Sequence, residues 1–421
     1  MNRYTPGNAK DFVSETLVML LAGGEGERLY PLTRHRAKPA VPFGGIYRII
    51  DFTLSNCLNS GLRRIAVLTQ YRSYSLDRHI RTSWNVFNTE LGESIDTIPP
   101  QQRFTKKWYQ GTADAIYQNI YTLEQERPQY VLILSGDHVY KMNYRNLIED
   151  HISKGADLTV ACIEVPINAA GRFGVVHVDK HMAVVDFEEK PEAPEPISDR
   201  PGFAFCSMGV YIFNTDALVR SVINDAKQPG SHDFGKDIIP AMVGTHRVYA
   251  HKMLPVSEDG RPPYWRDIGT FEAYWEANMD LVGASPDFDL HDSKWPVRSQ
   301  LRQLAPAKIV QEPGCGSTHR AEIIDSLISP SCIISGGKIE RSVLSPGVRV
   351  GPGSHISDSI IFDGVRIGQG VRINRTIMDK NVIVPDGTQI GVNTVSDSRT
   401  YAMSKTGIVV VPKEMPITSA V

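Results

Sequence analysis

The chain has 421 residues, of which 41% are hydrophobic and 22% are charged, and its formal net charge at pH 7 is −2. This length exceeds what one compact core usually holds, and the composition is that of a globular protein rather than a disordered one. The near-neutral charge gives no electrostatic reason for a nucleic acid or an anionic membrane to be a partner, so we expect neither.

The cysteines and the apolar runs indicate where the protein is located in the cell. The cysteines are odd in number, scattered and without a CxxC pair, which disfavours a disulfide framework and a zinc site; they are Cys57, Cys162, Cys206, Cys315 and Cys332. Residues 1–16 lack the apolar core of a signal peptide, and the longest apolar runs are far shorter than a membrane span. We therefore expect a cytoplasmic protein.

The first two thirds of the chain alternate apolar runs with helix-like stretches. Leu17–Ala22 is a continuous apolar run that ends at two glycines, as a buried parallel strand does, and Arg64–Thr69 and Tyr130–Leu134 repeat the pattern. Helices are predicted for Ile49–Asn59 and Ala113–Glu126. This alternation predicts an α/β, Rossmann-like domain: a mostly parallel sheet with helices on both faces and ligands at the carboxyl ends of the strands.

A glycine-rich turn follows the first predicted strand, in the string Gly23-Gly24-Glu25-Gly26-Glu27-Arg28. Because glycine has no Cβ, the backbone N–H groups of such a turn can approach a phosphate closely. The turn matches neither a P-loop nor a complete dinucleotide fingerprint, so the glycines alone could be structural. The cationic side chains of Arg28 and Lys38 favour phosphate binding.

Two aspartates are candidate metal ligands. Asp137 follows the predicted strand Tyr130–Leu134, and Asp267 lies between Trp265 and Gly269. Two carboxylates that hold one Mg²⁺ between phosphate oxygens suit phosphoryl or nucleotidyl transfer. Either aspartate could instead cap a turn, which is the commoner role of a lone loop aspartate, and spacing alone cannot bring the two together.

A further group of residues gives a weaker signal. It comprises the aromatic pair Trp108-Tyr109 in a loop, Lys190 directly after two glutamates, and Ser207 shortly before a glycine. A lysine flanked by glutamates usually belongs to a solvated face, so Lys190 alone does not indicate a site.

The last quarter of the chain has a different periodicity. Residues 286–318 are rich in proline, glycine and polar side chains, which predicts a linker between an N-terminal domain of residues 1–285 and a C-terminal domain of residues 319–421. In the C-terminal domain, apolar residues and glycines recur every 17 residues in four columns. The columns are Ile333, Val350, Ile367 and Val384; Ile339, Ile356, Ile373 and Ile390; Leu344, Ile361 and Met378; and Gly336, Gly353, Gly370 and Gly387.

Three apolar columns and one glycine column describe a triangular coil whose sides have roughly six, six and five residues and which buries its core only when coils stack. The repeat resembles that of hexapeptide-repeat proteins, which implies a left-handed parallel β-helix. An ordinary β-sandwich would not keep the same 17-residue spacing through four successive repeats.

The motifs resemble those of the sugar-1-phosphate nucleotidyltransferase family. The general pattern is Gly23-Gly24-x-Gly26-x-Arg28, Lys38-Pro39, Gly136-Asp137 and Glu189-Lys190-Pro191. Three further strings are similar to the members that make ADP-glucose: Trp108-Tyr109-x-Gly111-Thr112-Ala113-Asp114-Ala115, Ser231-His232-Asp233-Phe234-Gly235-Lys236-Asp237, and Tyr264-Trp265-Arg266-Asp267. The resemblance covers nearly the whole chain. It implies a Mg²⁺-dependent enzyme of glycogen synthesis that joins ATP to glucose 1-phosphate and releases pyrophosphate.

The resemblance also implies a role for each matching residue. Asp137 and Asp267 would hold Mg²⁺, and Arg28 and Lys38 would bind the β- and γ-phosphates. The backbone of Gly23, Gly24, Gly111 and Thr112 would bind ATP. The residues around glucose 1-phosphate would be Tyr109, Gly174, Glu189, Ser207, Asp233 and Trp265, with Lys190 on its phosphate. Gln70 and Trp108 would relay a regulatory signal.

Regulation is expected, but its effector is not defined by the sequence. Members of the family respond to phosphorylated and other glycolytic metabolites, and in some relatives a lysine three residues before Lys38 binds the activator. His35 stands there in this chain, and Pro42 and Ile46 replace polar or basic residues of those relatives. Because Arg36 and Arg48 remain, we expect a regulatory anion site at these two residues. Since the other positions have changed, we expect this site to prefer a different anion from the one that binds in those relatives. The resemblance also implies a homotetramer, with the β-helix in regulation and assembly.

Three other functions fit parts of the sequence. The same scaffold makes UDP-, dTDP- or GDP-sugars in other enzymes, and β-helices of this type often belong to acyltransferases. An acyltransferase would need a catalytic histidine in a long loop between coils, whereas His355 lies within a regular coil. A non-enzymatic regulatory subunit would usually have lost the charged residues Arg28, Lys38, Asp137, Lys190 and Asp267, all of which are present.

Overall fold

The computed structural model describes residues 12–101, 108–256, 262–311 and 320–417. The strands of the N-terminal domain are β1 (Thr16–Ala22), β2 (Pro42–Phe43), β3 (Tyr47–Arg48), β4 (Arg64–Thr69), β5 (Ser94–Ile98), β6 (Tyr130–Ser135), β7 (His138–Tyr140), β8 (Leu158–Pro166), β9 (Gly174–Val178), β10 (Val184–Glu189), β11 (Phe203–Asn214), β12 (Val248–Lys252) and β13 (Trp265–Asp267). Its helices are α1 (Ile49–Asn59), α2 (Tyr74–Ser83), α3 (Thr112–Tyr117), α4 (Ile120–Glu126), α5 (Tyr144–Ser153), α6 (Ile167–Ala170), α7 (Thr215–Asp225), α8 (Ile239–Met242) and α9 (Phe271–Met279).

A large sheet forms the centre of this domain. Its strand order is β10-β9-β11-β6-β1-β4-β5, and β8 pairs with β11 and β12. Successive residues of β1 enter different cores, because Val18 and Leu20 pack on one face and Leu17 and Met19 on the other. The expected α/β domain with both sheet faces covered is therefore confirmed.

The sheet is mixed rather than mostly parallel. Strands β6, β1, β4 and β5 run parallel, as expected, whereas β11 runs antiparallel to β6, β8 and β9. The antiparallel half begins at the long strand β11, which the sequence reading did not single out. The glycine turn and Asp137 follow the parallel strands β1 and β6, at the edge where ligands bind such sheets.

One predicted helix is divided in two. The stretch Ala113–Glu126 forms α3 and α4, and the break lies at Gln118 and Asn119. The Asn119 side chain donates to the Ala115 carbonyl at 2.7 Å, and the Asn119 backbone N–H then turns to the Ile116 carbonyl at 2.9 Å. A buried side-chain amide thus competes with the helical hydrogen bond and ends the first helix.

The C-terminal domain is the expected β-helix. Its strands are β14 (Lys308–Val310), β15 (Glu322–Ile324), β16 (Leu327–Ile328), β17 (Ile333–Ser335), β18 (Gly337–Glu340), β19 (Val343–Leu344), β20 (Arg349–Val350), β21 (Ser354–Ser357), β22 (Ile360–Ile361), β23 (Arg366–Ile367), β24 (Arg372–Asn374), β25 (Thr376–Met378), β26 (Ile383–Val384), β27 (Gln389–Ile390), β28 (Ala402–Met403) and β29 (Val409–Val411), with the helix α10 (Thr394–Thr400). They form three sheets, β14-β17-β20-β23-β26, β15-β18-β21-β24-β27 and β16-β19-β22-β25-β29-β28.

Two apolar columns are confirmed and one starts a residue later than predicted. Ile339 pairs in register through to Ile390, and Leu344 through to Met378. In the other column Ile334, not Ile333, pairs with Val350, because the first coil is one residue shorter than the repeat. The glycine column takes positive φ angles of 76°, 68°, 66° and 69°, which explains why glycine recurs at each turn.

The stretch predicted as a linker packs on both domains. Trp295 Nε1 donates to Asn56 Oδ1 at 2.8 Å and Ser299 Oγ donates to Asp51 Oδ2 at 2.7 Å, both on α1. Within the same stretch, β14 pairs with β17 and so already belongs to the β-helix. One apolar cluster spans the two domains, with Tyr274 of α9 against Phe362 at 6.4 Å between ring centroids.

The cysteines that the structure describes are free and buried: Cys57, Cys162, Cys206 and Cys332. Cys315 lies outside the described residues. In the four described ranges, no helix is long and apolar enough to cross a membrane.

Candidate active site

The turn after β1 needs glycine at two of its positions. A Cβ on Gly23 would stand 2.9 Å from the Cβ of Gln70, and Gly26 has a φ of 66° with Thr33 Cγ2 2.9 Å from its would-be Cβ. Gly24 has nothing within 4 Å of such an atom. The turn is therefore held by close packing at Gly23 and Gly26, while the backbone at Gly24 is open to a ligand.

The pairing of two short strands brings the distant aspartates together. Strand β7 runs antiparallel to β13, and Asp267 lies opposite His138, the neighbour of Asp137. A ligand atom of each of Asp137, His138 and Asp267 lies within 4.8 Å of the other two. The Lys38 ammonium donates to Asp137 Oδ2 at 2.7 Å and stands 3.4 Å from Asp267 Oδ1.

The charges around Asp137 keep it ionised. Burial acts to raise the pKa of this carboxyl, but Lys38 and His138 nearby and the hydrogen bonds from Lys38 and Ser135 outweigh burial. The pKa of Asp137 therefore lies well below its usual range. At neutral pH this site presents a carboxylate, not a carboxylic acid.

Arg28 lies on the same side of the site as the two aspartates. It is exposed on the one-turn 3-10 helix Glu27–Leu29 that follows the glycine turn. A Cβ on Gly269 would stand 3.2 Å from Arg28 Nη2 and 3.1 Å from Asp267 Oδ2. Gly269 thus leaves room for the guanidinium and the carboxylate to come close.

The donor set fits Mg²⁺. The side chains of Asp137 and Asp267 are 29% and 32% exposed, so both carboxylates are partly accessible to solvent. Mg²⁺ typically takes one or two protein carboxylates and completes its shell with water and phosphate oxygens. Two neighbouring, partly exposed carboxylates offer that arrangement.

The residues expected around the sugar phosphate form a second group. Glu189 accepts a hydrogen bond from the Lys190 ammonium at 2.7 Å. A Cβ on Gly174 would stand 2.9 Å from Glu189 Oε2, and one on Gly235 only 2.6 Å from it. Asp233 accepts from the Gly235 N–H at 2.9 Å. The structure thus brings Gly174, Glu189, Lys190 and Asp233 together.

Trp265 connects this group to the aspartates. Its ring packs edge-on against His138 and against Phe173, the residue before Gly174, each at 5.1 Å between ring centroids. Among the described residues, the buried Trp265 Nε1 and the buried His138 Nδ1 have no hydrogen-bond partner.

Ser207 and Tyr109, two further residues expected around the sugar, are each held by a hydrogen bond. Ser207 donates to the Tyr211 hydroxyl at 3.3 Å, and Tyr109 accepts from Asn119 at 2.9 Å.

Gly111 and Thr112 are tied to the sugar-side group. A Cβ on Gly111 would collide with the carbonyls of Ser231 and His232 at 2.2 Å, so only glycine fits. The Thr112 hydroxyl donates to Asp233 Oδ2 at 2.9 Å. The loop assigned to ATP and the loop assigned to the sugar therefore contact each other directly.

Gln70 lies beside the turn after β1, and Trp108 stacks on Tyr71, the neighbour of Gln70. Gln70 packs against Gly23, and Trp108, which is 52% exposed, stacks on Tyr71 with ring centroids 5.3 Å apart and planes 11° apart. Gln70 therefore contacts the predicted phosphate-binding turn directly, whereas Trp108 is connected to it through Tyr71 and Gln70.

Arg36 and Arg48 lie apart from the aspartates, at the boundary between the domains. Arg36 Nη2 donates to Asp379 Oδ1 at 2.9 Å, and among the described residues its buried Nη1 has no partner. Arg48 lines a cleft with Arg302, Asp363 and Lys380, which we call the interdomain cleft. Burial lowers the pKa of Lys380 and Arg48 despite nearby acids, and the positive charge of Arg36 adds to the effect. This boundary is rich in positive charge.

Sequence patterns did not identify every contributor to the site. His138 directly follows Asp137, and that adjacency was the available signal for it. Gly235 lies within the string Ser231–Asp237, and Gly269 lies two residues after Asp267. Arg302 and Lys380 lie in the linker stretch and the β-helix, and only the fold brings them to Arg48.

Comparison with known families identifies both domains. Residues 17–283 match the family model "Nucleotidyl transferase", and residues 305–411 match "GlmU-like, C-terminal hexapeptide". The second match agrees with the left-handed β-helix expected from the repeat.

Full-length relatives cover almost the entire chain. A glucose-1-phosphate adenylyltransferase of Rhodopirellula baltica is 50% identical over 420 residues, which is 99% of this chain and 94% of the relative. One of Koribacter versatilis is 50% identical over 404 residues, 95% of this chain and 96% of the relative. Glucose-1-phosphate adenylyltransferase 2 of Vibrio parahaemolyticus is 49% identical over 405 residues, 95% and 99% of the two chains.

Proposed function

Since the chain belongs to the glucose-1-phosphate adenylyltransferase family of nucleotidyl transferases, we propose that it transfers the adenylyl group of ATP to α-D-glucose 1-phosphate. The products are ADP-glucose, for glycogen synthesis, and pyrophosphate. The observation that carries this proposal is the meeting of Asp137 and Asp267 across β7 and β13, with Lys38 between them and Arg28 beside Gly269.

The reaction is an in-line displacement. A phosphate oxygen of glucose 1-phosphate forms a bond to the α-phosphorus of ATP, and the bond from that phosphorus to the pyrophosphate oxygen breaks. The sugar phosphate is already an anion at neutral pH, so no general base is required. The protein's work is then to hold two anions together and to stabilise the charge that develops on pyrophosphate.

The residues around Asp137 divide that work. Asp137 and Asp267 would hold Mg²⁺, which when bound supplies positive charge between the phosphate groups. Lys38, now paired with both carboxylates, would share them with the ion and contact the departing pyrophosphate together with Arg28. The low pKa of Asp137 supports this role, because a carboxylate must be deprotonated to hold a metal ion.

The substrates would lie on either side of this centre. ATP would lie on the backbone of Gly23, Gly24, Gly111 and Thr112. Glucose 1-phosphate would lie among Tyr109, Gly174, Glu189, Ser207, Asp233 and Trp265, with its phosphate on Lys190. The Thr112–Asp233 hydrogen bond supports this arrangement, because it links the two proposed binding loops.

Regulation would act at the domain boundary. We assign Arg36 and Arg48 to a site for phosphorylated effectors, and Arg302 and Lys380 add positive charge there. The unpartnered Nη1 of Arg36 supports an anion as the ligand, since a buried donor without an acceptor is costly. Gln70, which packs against the phosphate turn, and Trp108, which stacks on Tyr71, would pass the signal on.

Assembly as a homotetramer is part of the proposal. The β-helix exposes the apolar side chains Ile383, Val392 and Val395, which are 63%, 50% and 62% exposed. Exposed apolar surface of this kind suits subunit contacts. Light scattering on the purified chain tests the assembly, and a monomer at micromolar concentration would contradict it.

One assay tests the reaction and its regulation. Pyrophosphate release from glucose 1-phosphate is measured with ATP, UTP, dTTP or GTP in the presence of Mg²⁺. Each reaction is repeated with fructose 6-phosphate, fructose 1,6-bisphosphate, pyruvate, AMP or phosphate. We expect turnover with ATP to exceed that with the other nucleotides and to respond to at least one effector. Preference for another nucleotide would refute the proposed substrate.

A further inference from the structure

The hairpin of β9 and β10 carries a second cluster of metal-ligating side chains, away from the aspartate pair. A ring nitrogen of His177 and carboxylate oxygens of Asp186 and Glu188 all lie within 4.8 Å of one another. The Nδ1 atom of His177 also lies 3.7 Å from a carboxylate oxygen of Glu195. We call His177, Asp186 and Glu188 the hairpin triad.

The register of the hairpin holds the triad on one face. His177 lies directly opposite Asp186, and a register shift between Val184 and Asp186 marks a β-bulge. The bulge turns Asp186 outward, although Val184 two residues earlier is buried. Glu188 then follows on the same outer face, while Phe187 between them packs into the core.

The two strands that carry the triad are anchored by the core. The Phe187 side chain is 6% exposed and Val176, next to His177, is 3% exposed. The side chain of His177 is itself only 17% exposed. The three donors therefore sit on a strand pair whose inner face is fixed by the core, which lowers the entropic cost of gathering them around an ion.

Negative charge in the triad is not balanced by the protein. Within the described ranges, no lysine or arginine forms an ion pair with Asp186 or Glu188, and His177 is paired with Glu195. Asp186 accepts a hydrogen bond from the neighbouring Phe187 N–H at 2.8 Å. The triad therefore holds two carboxylates without a lysine or arginine partner beside one imidazole, and a cation would offset their charge.

We propose that the hairpin triad binds a divalent transition-metal ion, with Zn²⁺ as the best match. Zinc takes histidine nitrogen and carboxylate oxygen at about 2.0–2.2 Å, so that neighbouring ligand atoms lie about 3–4 Å apart. The triad atoms, which lie within 4.8 Å of one another, are already close to that spacing. Mg²⁺ favours an all-oxygen shell and does not compete well for a site that includes imidazole.

The site would restrain the hairpin that carries part of the sugar-side group. The ion would cross-link β9, which begins at Gly174, to β10, which ends at Glu189. Its binding stabilises the folded chain, because the unfolded chain has no preformed site. The inference does not depend on the proposed reaction.

The test measures Zn²⁺ binding to the chelator-treated full chain, by calorimetry in the presence of excess Mg²⁺. Wild type is compared with His177→Ala and Glu188→Gln, and with the control His181→Ala, an exposed histidine on the turn of the same hairpin. Asp137, His138 and Asp267 also combine an imidazole with two carboxylates and are the same in every variant, so the result is the difference between variants. We expect wild type and His181→Ala to bind one equivalent that both triad variants bind at least about 100-fold more weakly. Co²⁺ absorption in the visible range gives an independent readout of a histidine–carboxylate site.

Equal Zn²⁺ affinity and stoichiometry in Glu188→Gln and His181→Ala would overturn the proposal. Glu188 is exposed, so this comparison remains valid even if His177→Ala does not fold. Pyrophosphate release measured with Mg²⁺ alone is scored separately, so loss of the zinc site and failure of the adenylyl-transfer proposal are distinguishable.

Discussion

Replacing Asp379 by asparagine should destabilise the contact between the two domains. Arg36 Nη2 donates to Asp379 Oδ1 at 2.9 Å, and the two side chains are only 7% and 2% exposed. Asparagine keeps the shape of Asp379 but removes its charge. Arg36 is then left buried near Lys380 and Arg48, two further cations. Breaking a buried ion pair by removing one partner costs about 3–5 kcal/mol.

The size of the thermal shift follows from the length of the chain. An unfolding entropy of about 2.1 cal/mol/K per residue gives roughly 0.9 kcal/mol/K for the whole chain. The expected loss then lowers the melting temperature by about 3–6 °C if the domains unfold together. Calorimetry or circular dichroism at pH 7 measures the shift.

Two comparisons make the test specific to the buried pair. The Arg341–Asp358 pair has the same residue types, but Arg341 is 57% exposed, so Asp358→Asn should cost less than about 1 kcal/mol. The double variant Arg36→Met/Asp379→Leu removes both charges and should recover most of the loss. A shift for Asp379→Asn no larger than that for Asp358→Asn would refute the reasoning.

Three further predictions concern other parts of the molecule. Burial lowers the pKa of His151 to about 4, so the unfolded chain binds its proton more readily and stability falls as the pH drops from about 6.5 towards 4. Between pH 7 and 5 the wild type should lose about 2 kcal/mol more than His151→Gln, as measured by thermal or urea unfolding. Gly269→Ala should lower kcat/KM about tenfold or more, because its Cβ would stand 3.1–3.2 Å from the charged groups of the active site, whereas Gly202→Ala, with open space around its Cβ, should not. Lys190→Gln should raise the KM for glucose 1-phosphate about 10–100-fold and leave the KM for ATP nearly unchanged. Lys180→Gln, on the turn at the other end of β10, is the control.

Each of these predictions can fail in a definite way. Equal acid sensitivity of wild type and His151→Gln would show that this histidine does not titrate on unfolding as inferred. Equal kcat/KM for Gly269→Ala and Gly202→Ala would show that the close approach at Gly269 has no role. An equal rise of both KM values in Lys190→Gln would show that Lys190 contributes to the binding of both substrates and not specifically to that of the sugar phosphate.

Local patterns in the sequence predict much of the fold. The apolar runs identify β1, β4 and β6 to within a residue or so, and Ile49–Asn59 is confirmed as α1 with the same bounds. The 17-residue step predicts the β-helix, because each column must stay buried in every coil. Its one misplaced residue, Ile333, arises where the first coil is shorter by one residue. The break at Asn119 depends on a side-chain hydrogen bond that periodicity cannot reveal.

The candidate site was predictable only in part. The glycine turn and the two aspartates stand out as residue types, but only the β7–β13 pairing brings Asp137 beside Asp267. Resemblance to a family, not spacing, supplied that pairing in advance. The linker stretch was expected to separate the domains, yet Ser299 bonds to α1 and Arg302 lines the interdomain cleft. Such contacts arise from tertiary packing of distant segments, and a single sequence does not display them.

A double-mutant cycle on the two aspartates tests the central claim most directly. Pyrophosphate release from ATP and glucose 1-phosphate is measured for Asp137→Asn, Asp267→Asn and the double variant at saturating Mg²⁺. If both carboxylates hold one ion, each single variant loses about 10²–10³ in kcat and the double variant loses about the same. Losses that multiply in the double variant, to roughly 10⁴ or more, would show that the two aspartates act independently and would contradict the account.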